Sequence, residues 1–253
     1  MVTQVTRGDE RSLDPVPESD RLSHMIPIHI DPEVGHLLAG IVLARGLHIE
    51  PASPALRAAC DEIVATVLRD GMGGGDLRRE GVRKLLRAGG FKPAGRNKPA
   101  QEYLLRTVTE TGALPQILNA VDWLNAISLE SGLPISLLSA SRFAAGGVIR
   151  YGRPEEKFVF NRTGQELDLA GLICICADQG EETVPLGTPI KDSMHGKIGA
   201  DDPDVVAVIY APPFAVSNDE LARWCDKLSR GFTQHCGAQT ANSLVKVQSP
   251  DCP

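Results

Sequence analysis

The sequence predicts a single α/β domain in which layered mixed and antiparallel sheets pack against helices. Three observations predict it. Between residues 52 and 129 apolar side chains recur at helical spacing; after Phe143 the pattern changes to short β-rich blocks separated by turn residues; an amphipathic stretch from Asn218 to Cys236 closes the pattern. With 253 residues, 42% hydrophobic and 23% charged, the chain can bury one sizeable core.

In chain order, residues 1–24 are polar and proline-containing and are expected to be disordered, before an ordered domain over 25–243 and a tail over 244–253. MIPIHID reads as a short strand, and PEVGHLLAGIVLARGLHIE, with Gly35, Gly40 and Gly46, as strands and turns around a short helix. Ala52 to Asp70 is a helix with Ser53 as N-cap and Pro54 in the first turn, stopped by GMGGG at 71–75. Further helices are expected over about 76–88, 99–111 and 114–129; in the last, Ile117, Leu118, Val121, Leu124 and Asn125 share a face. VIRYGR, KFVFNR, LAGLICICAD and VVAVIYAP read as strands, and the closing helix has Ser217 or Asn218 as its cap.

Common catalytic signatures are absent: there is no G-x-S-x-G, P-loop, G-x-G-x-x-G before a helix, or C-x-x-C. His24, His29 and His36 share no helix or strand face, so neither a metal nor a cofactor is expected. No apolar run reaches transmembrane length, and the first residues lack the apolar core of a signal peptide. With six dispersed cysteines, expected to be reduced, this predicts a cytoplasmic protein without a membrane partner.

Charge is uneven. The chain carries a formal net charge of −6, yet Arg78, Arg79, Arg83, Lys84, Arg87, Lys92, Arg96 and Lys98 cluster with one acid, Glu80. GGFKPAGRNKPA cannot be regular helix, because each proline fixes φ and lacks a donor, so Arg96, Asn97 and Lys98 sit on a shaped loop between helices. The candidate phosphate-binding set is Arg83, Lys84, Arg87, Lys92, Arg96, Asn97 and Lys98, with Arg78 and Arg79 as an extension. A solvated helix face followed by a charged loop is the competing reading of the same residues.

Polar residues in apolar company form a second set. LNAISLESGLPISLL places Asn125, Ser128, Glu130, Ser136 and Ser139 among hydrophobic neighbours, as a pocket with a few placed polar groups would, or as a helix end with capping residues would. Asn161 falls at a turn, and Lys191, Asp192 and Ser193 fall on a loop bounded by proline and glycine.

The succession FKPAGRNKPAQEYLL, LPQILNAVDWLNAISLESGLPISLL, FVFNRTGQELDLAGLICI, PIKDSMHGK and VVAVIYAPP resembles the B3/B4 domain of bacterial phenylalanyl-tRNA synthetase β subunits, over about residues 26–240. The resemblance implies a free-standing B3/B4 protein with a compact fold of layered sheets and helices. In the synthetase the domain hydrolyses the ester of wrongly charged tRNA. Asn125 matches the asparagine of the family's V-D-x-x-N segment. Ser136 stands where the family's editing histidine would be, and no acid lies between Ala207 and Tyr210, where its glutamate would fall. The implied partner is tRNA, with no DNA expected and the oligomeric state open. The implied function is trans-editing of mischarged aminoacyl-tRNA, with Asn125, Ser136, Asn161, Asp192 and Ser193 as candidate catalytic groups. The alternatives are a non-catalytic module binding tRNA or an amino-acid-like ligand, and a small-metabolite hydrolase.

Overall fold

A computed structural model describes residues 25–95 and 97–247; the expected disordered segment 1–24, Arg96 and the end of the tail lie outside the described residues. The elements run β1 (Ile28–Ile30), β2 (Leu38–Arg45), α1 (Pro54–Asp70), α2 (Gly75–Arg87), α3 (Ala100–Thr111), α4 (Asn119–Ser131), β3 (Ile135–Ser139) and a 3-10 turn (Ala140–Phe143). Then follow β4 (Gly147–Tyr151), β5 (Lys157–Val159), β6 (Glu166–Asp168), β7 (Ile173–Gln179), β8 (Glu182–Gly187), β9 (Val205–Ala211), α5 (Asn218–Cys236) and β10 (Thr240–Val247).

Two four-stranded sheets stack face to face. The first has the order β10-β2-β9-β3 and is antiparallel throughout; the second has the order β1-β4-β7-β8, with β1 parallel to β4 and the other pairs antiparallel. Strand alternation divides the first sheet's side chains between two cores. Ile135, Leu137, Ala207 and Ile209 pack against α1, α4 and α5, whereas Leu138, Val206, Val208 and Tyr210 pack against Ile149, Ile173 and Ile175 of the second sheet. The second sheet's outer side carries Val148, Cys174 and Cys176, covered by Leu86 of α2 and by Phe158 and Leu167 of the β5–β6 hairpin.

Local signals act where they were expected. The Ser53 hydroxyl accepts the Leu56 N–H to cap α1, and the Ser217 hydroxyl accepts the Glu220 N–H to cap α5. Two expectations are corrected. PEVGHLLAGIVLARGLHIE contains no helix but the single strand β2, buried along nearly its whole length. A central strand covered on both faces reads as a continuous apolar run and hides its period of two. Gly40 lies so close beneath α5 that a Cβ there would stand 2.5 Å from the Cys225 sulfur. The ordered domain also runs past the expected boundary at 243, because β10 pairs with β2 as far as Val247.

Candidate functional site

Helix α4 starts at Asn119, later than expected, and buried polar side chains set its position. Asn119 accepts the Glu50 N–H and donates to the His48 carbonyl, while Asp122 reaches back to accept the Ile117 N–H at 2.8 Å. Ser128 donates to the Leu133 carbonyl, Ser131 accepts the Leu133 N–H, and Gly132 ends the helix at φ 68°. Ser128 is thus a helix-end group, and Glu130 pairs with Lys227 of α5.

This anchoring presents one face of α4 to a cleft of about 270 Å³. Ile117, Leu118, Val121, Leu124 and Asn125, the residues whose spacing put them on one face, all line it. Ile135 and Leu137 of β3 form a second wall, and the loop after β8 supplies Thr188, Ile190, Lys191 and Asp192, with Lys197 and Ile198 beyond. Ala100, at the start of α3, completes the lining, and its N–H donates to the Pro189 carbonyl.

The 188–192 loop is held from within. The Thr188 hydroxyl donates to the Lys191 carbonyl at 2.8 Å and accepts the Ile190 and Lys191 N–H groups. Asp192 docks on the edge of β3, its Oδ2 accepting the Leu137 N–H at 3.0 Å. Its Oδ1 is buried without a hydrogen-bond partner among the described residues. Burial raises the Asp192 carboxyl to about 6, against the lowering influence of the neighbouring Ser136 hydroxyl, the Leu137 N–H, the Lys197 ammonium and the Thr188 backbone. Gly187 permits this packing, since a Cβ there would meet Asp192 Oδ1 at 2.6 Å and Ser136 Oγ at 2.9 Å. Above the loop, Lys191 Nζ lies 3.6 Å from the ring centre of Phe160, and Lys197 donates to the Phe160 carbonyl.

The predicted polar set therefore separates. Asn125 and Asp192 line the same cleft. Ser136 does not: strand parity turns it away from Ile135 and Leu137 toward the inter-sheet core, where it bonds to the Tyr210 hydroxyl at 3.0 Å and the Thr188 carbonyl at 3.2 Å. Asn161 is a turn residue whose Oδ1 accepts from the Gln165 N–H and the Thr163 hydroxyl. Ser193 is likewise local, its hydroxyl accepting the Gly196 N–H. Thr188 and Lys197 were missed; a lysine and a threonine on a loop are too common to stand out, and only the fold brings them opposite Asn125.

The basic island is smaller than its sequence. Arg78 is buried, donating to the Ser131 carbonyl and pairing with Glu220. Arg83 forms a two-pronged ion pair with Glu102, Arg87 pairs with Glu80, and Arg79 pairs with Asp76. Lys84 is exposed over the Phe214 ring, Lys92 is exposed, and Asn97 and Lys98 are half-buried in the loop leading to Ala100; Arg96 lies outside the described residues.

A larger, more open depression of about 530 Å³ lies near Met25 and Phe143. Its charged groups are engaged locally: Arg45 pairs with Asp204, and Asp202 accepts the Ser139 hydroxyl. Among the described residues no group of three histidines, cysteines or acids could hold a metal ion, and no helix is long and apolar enough to cross a membrane.

No curated protein matches the chain at a significant level. Among solved structures it is similar to the N-terminal fragment of the phenylalanyl-tRNA synthetase β subunit from Pyrococcus horikoshii, at 7% identity and a TM-score of 0.46, with 88% of this chain and 54% of that chain covered. The chain thus spans about half the length of that structure. The family model of the B3/4 domain matches residues 91–221, more than half of the 253 residues. Every residue lining the cleft falls within that match, and the chain belongs to the B3/4 domain family.

Proposed function

We propose that the cleft takes the aminoacyl end of a tRNA and hydrolyses its ester. The observation that carries this reading is the meeting of Asp192 with Asn125 and Lys197 in one largely aliphatic cleft, where burial raises the Asp192 carboxyl to about 6. Such a group is ionised at neutral pH, yet basic enough to accept a proton from water. The water oxygen bonds to the ester carbonyl carbon as its proton passes to Asp192. Asn125 and Lys197, on opposite sides of the cleft, donate to the developing oxyanion. The bond from the carbonyl carbon to the ribose oxygen then breaks, and the proton returns to that oxygen. An aminoacyl ester is already activated, so a positioned water and oxyanion donors supply the main needs of the reaction. Lys92 and Lys98 precede Ala100 of the cleft wall in the chain, which supports a reading in which these two cations meet the phosphates of the tRNA end. The family to which the chain belongs supports tRNA as the partner.

A non-catalytic binding module is the second reading, favoured by the absence of histidine, cysteine and serine from the cleft lining. Timed deacylation of a panel of mischarged tRNAs separates the two. Hydrolysis of at least one ester is expected, weakened by Lys92→Glu with Lys98→Glu through a poorer KM and a shallower salt dependence. Saturable tRNA binding with every ester left intact would establish the second reading instead.

A further inference from the structure

The polar groups of the cleft can be accounted for one by one, and the remainder defines what its occupant may carry. The Thr188 hydroxyl is fully committed, donating to the Lys191 carbonyl and accepting two backbone N–H groups. Asp192 Oδ2 holds the Leu137 N–H, Lys197 holds the Phe160 carbonyl, and the Lys191 ammonium lies over the Phe160 ring. What faces the ligand elsewhere is hydrocarbon: Leu118 just before α4, Val121 and Leu124 within it, Ile135 and Leu137 from β3, and Ile190 from the loop, with no aromatic residue in the lining. A volume of about 270 Å³ equals roughly nine water molecules in the liquid, the scale of one amino-acid residue.

We infer that the aminoacyl group taken by this cleft bears an unsubstituted aliphatic side chain, and that a hydroxylated or amide side chain of the same shape is selected against. This rests on the ester-binding reading above. In that arrangement Asp192 meets the attacking water, and Asn125 and Lys197 meet the ester carbonyl. A polar side chain would then lie against Val121, Leu124 and Ile190 with nothing to receive its hydrogen bonds. The aliphatic walls offer branched chains close contact and offer a phenol hydroxyl no partner. Selection therefore falls on the side chain, while the polar groups read what all aminoacyl esters share.

Non-hydrolysable 3′-aminoacylamino-3′-deoxyadenosines carrying valine, threonine, leucine or asparagine test this by calorimetry on the whole protein. Valine is expected to bind about 100-fold more tightly than threonine, the ratio typical of an apolar pocket meeting an added hydroxyl, and leucine more tightly than asparagine by at least as much. Val121→Ser, on the half-buried face of α4, should erode the valine preference to less than about tenfold by offering a hydroxyl partner. Threonine or asparagine binding as well as its isostere would overturn the inference while leaving the ester-binding reading intact. Failure of all four compounds to bind would overturn both.

Discussion

Replacing Asp192 by asparagine is expected to abolish most ester hydrolysis while making the protein more stable at pH 8. The loss in rate should be about 10²–10⁴-fold, the usual worth of a general base. The gain in stability follows from the direction in which burial moves this carboxyl. Its value in the folded protein is about 6, against 3.8 ordinarily. Well below pH 3.8 the group is protonated in both folded and unfolded chains, and its ionisation costs the fold nothing. As pH rises toward 6 the unfolded chain releases its proton first, so the fold loses stability, by at most about 3 kcal/mol once both forms are ionised. Asparagine keeps an oxygen for the Leu137 N–H and carries no charge to bury. Urea denaturation should show Asp192→Asn more stable than the wild type at pH 8, with the difference vanishing as pH falls well below 3.8. The wild-type rate should rise with pH through about 6, and the residual activity of the variant should lack that rise. A variant that is active, or that is less stable at pH 8, would remove Asp192 from the mechanism.

Arg150→Ala is expected to cost about 3–5 kcal/mol, because it strands a partner inside the protein. Arg150 in β4 holds Glu156 through two hydrogen bonds at 2.7 and 2.8 Å and Thr183 of β8 through a third at 2.9 Å. It is only 7% exposed. Glu156 leads directly into β5 and from there to Phe160, which packs on Lys191 at the cleft. The pair therefore ties the second sheet to the hairpin that braces the functional loop. Arg150→Met combined with Glu156→Leu should recover most of the loss, since removing both charges leaves neither one unpaired. Chemical denaturation of the single and double variants measures both; equal losses in the two would show that side-chain volume, not charge pairing, matters there.

Much of the fold was legible in the sequence because its signals are local. The Ser53 and Ser217 caps and the shared face of Leu118, Val121, Leu124 and Asn125 depend only on spacing within one element. The strands that went unread lack such a signal. Strand β3 is buried at all five positions and shows no alternation, β8 contains Pro185 at a sheet edge beside a bulge, and β10 is an edge strand of mainly half-buried residues. The site was half legible for the same reason. Asn125 follows from helical period, whereas the direction of Ser136 depends on strand parity, and a one-residue change of register would have reversed it. The basic island was over-read because its partners are remote: Glu102 and Glu220 meet Arg83 and Arg78 only once the chain has folded.

The central claim is that the cleft between α4, β3 and the 188–198 loop receives an aminoacyl ester. Methyl NMR during titration with 3′-valylamino-3′-deoxyadenosine tests it most directly. Saturable shifts should concentrate on Leu118, Val121, Leu124, Ile135, Leu137 and Ile190. Shifts centred instead on Ile26 and Ala140, beside Arg45 and Asp204, would contradict it.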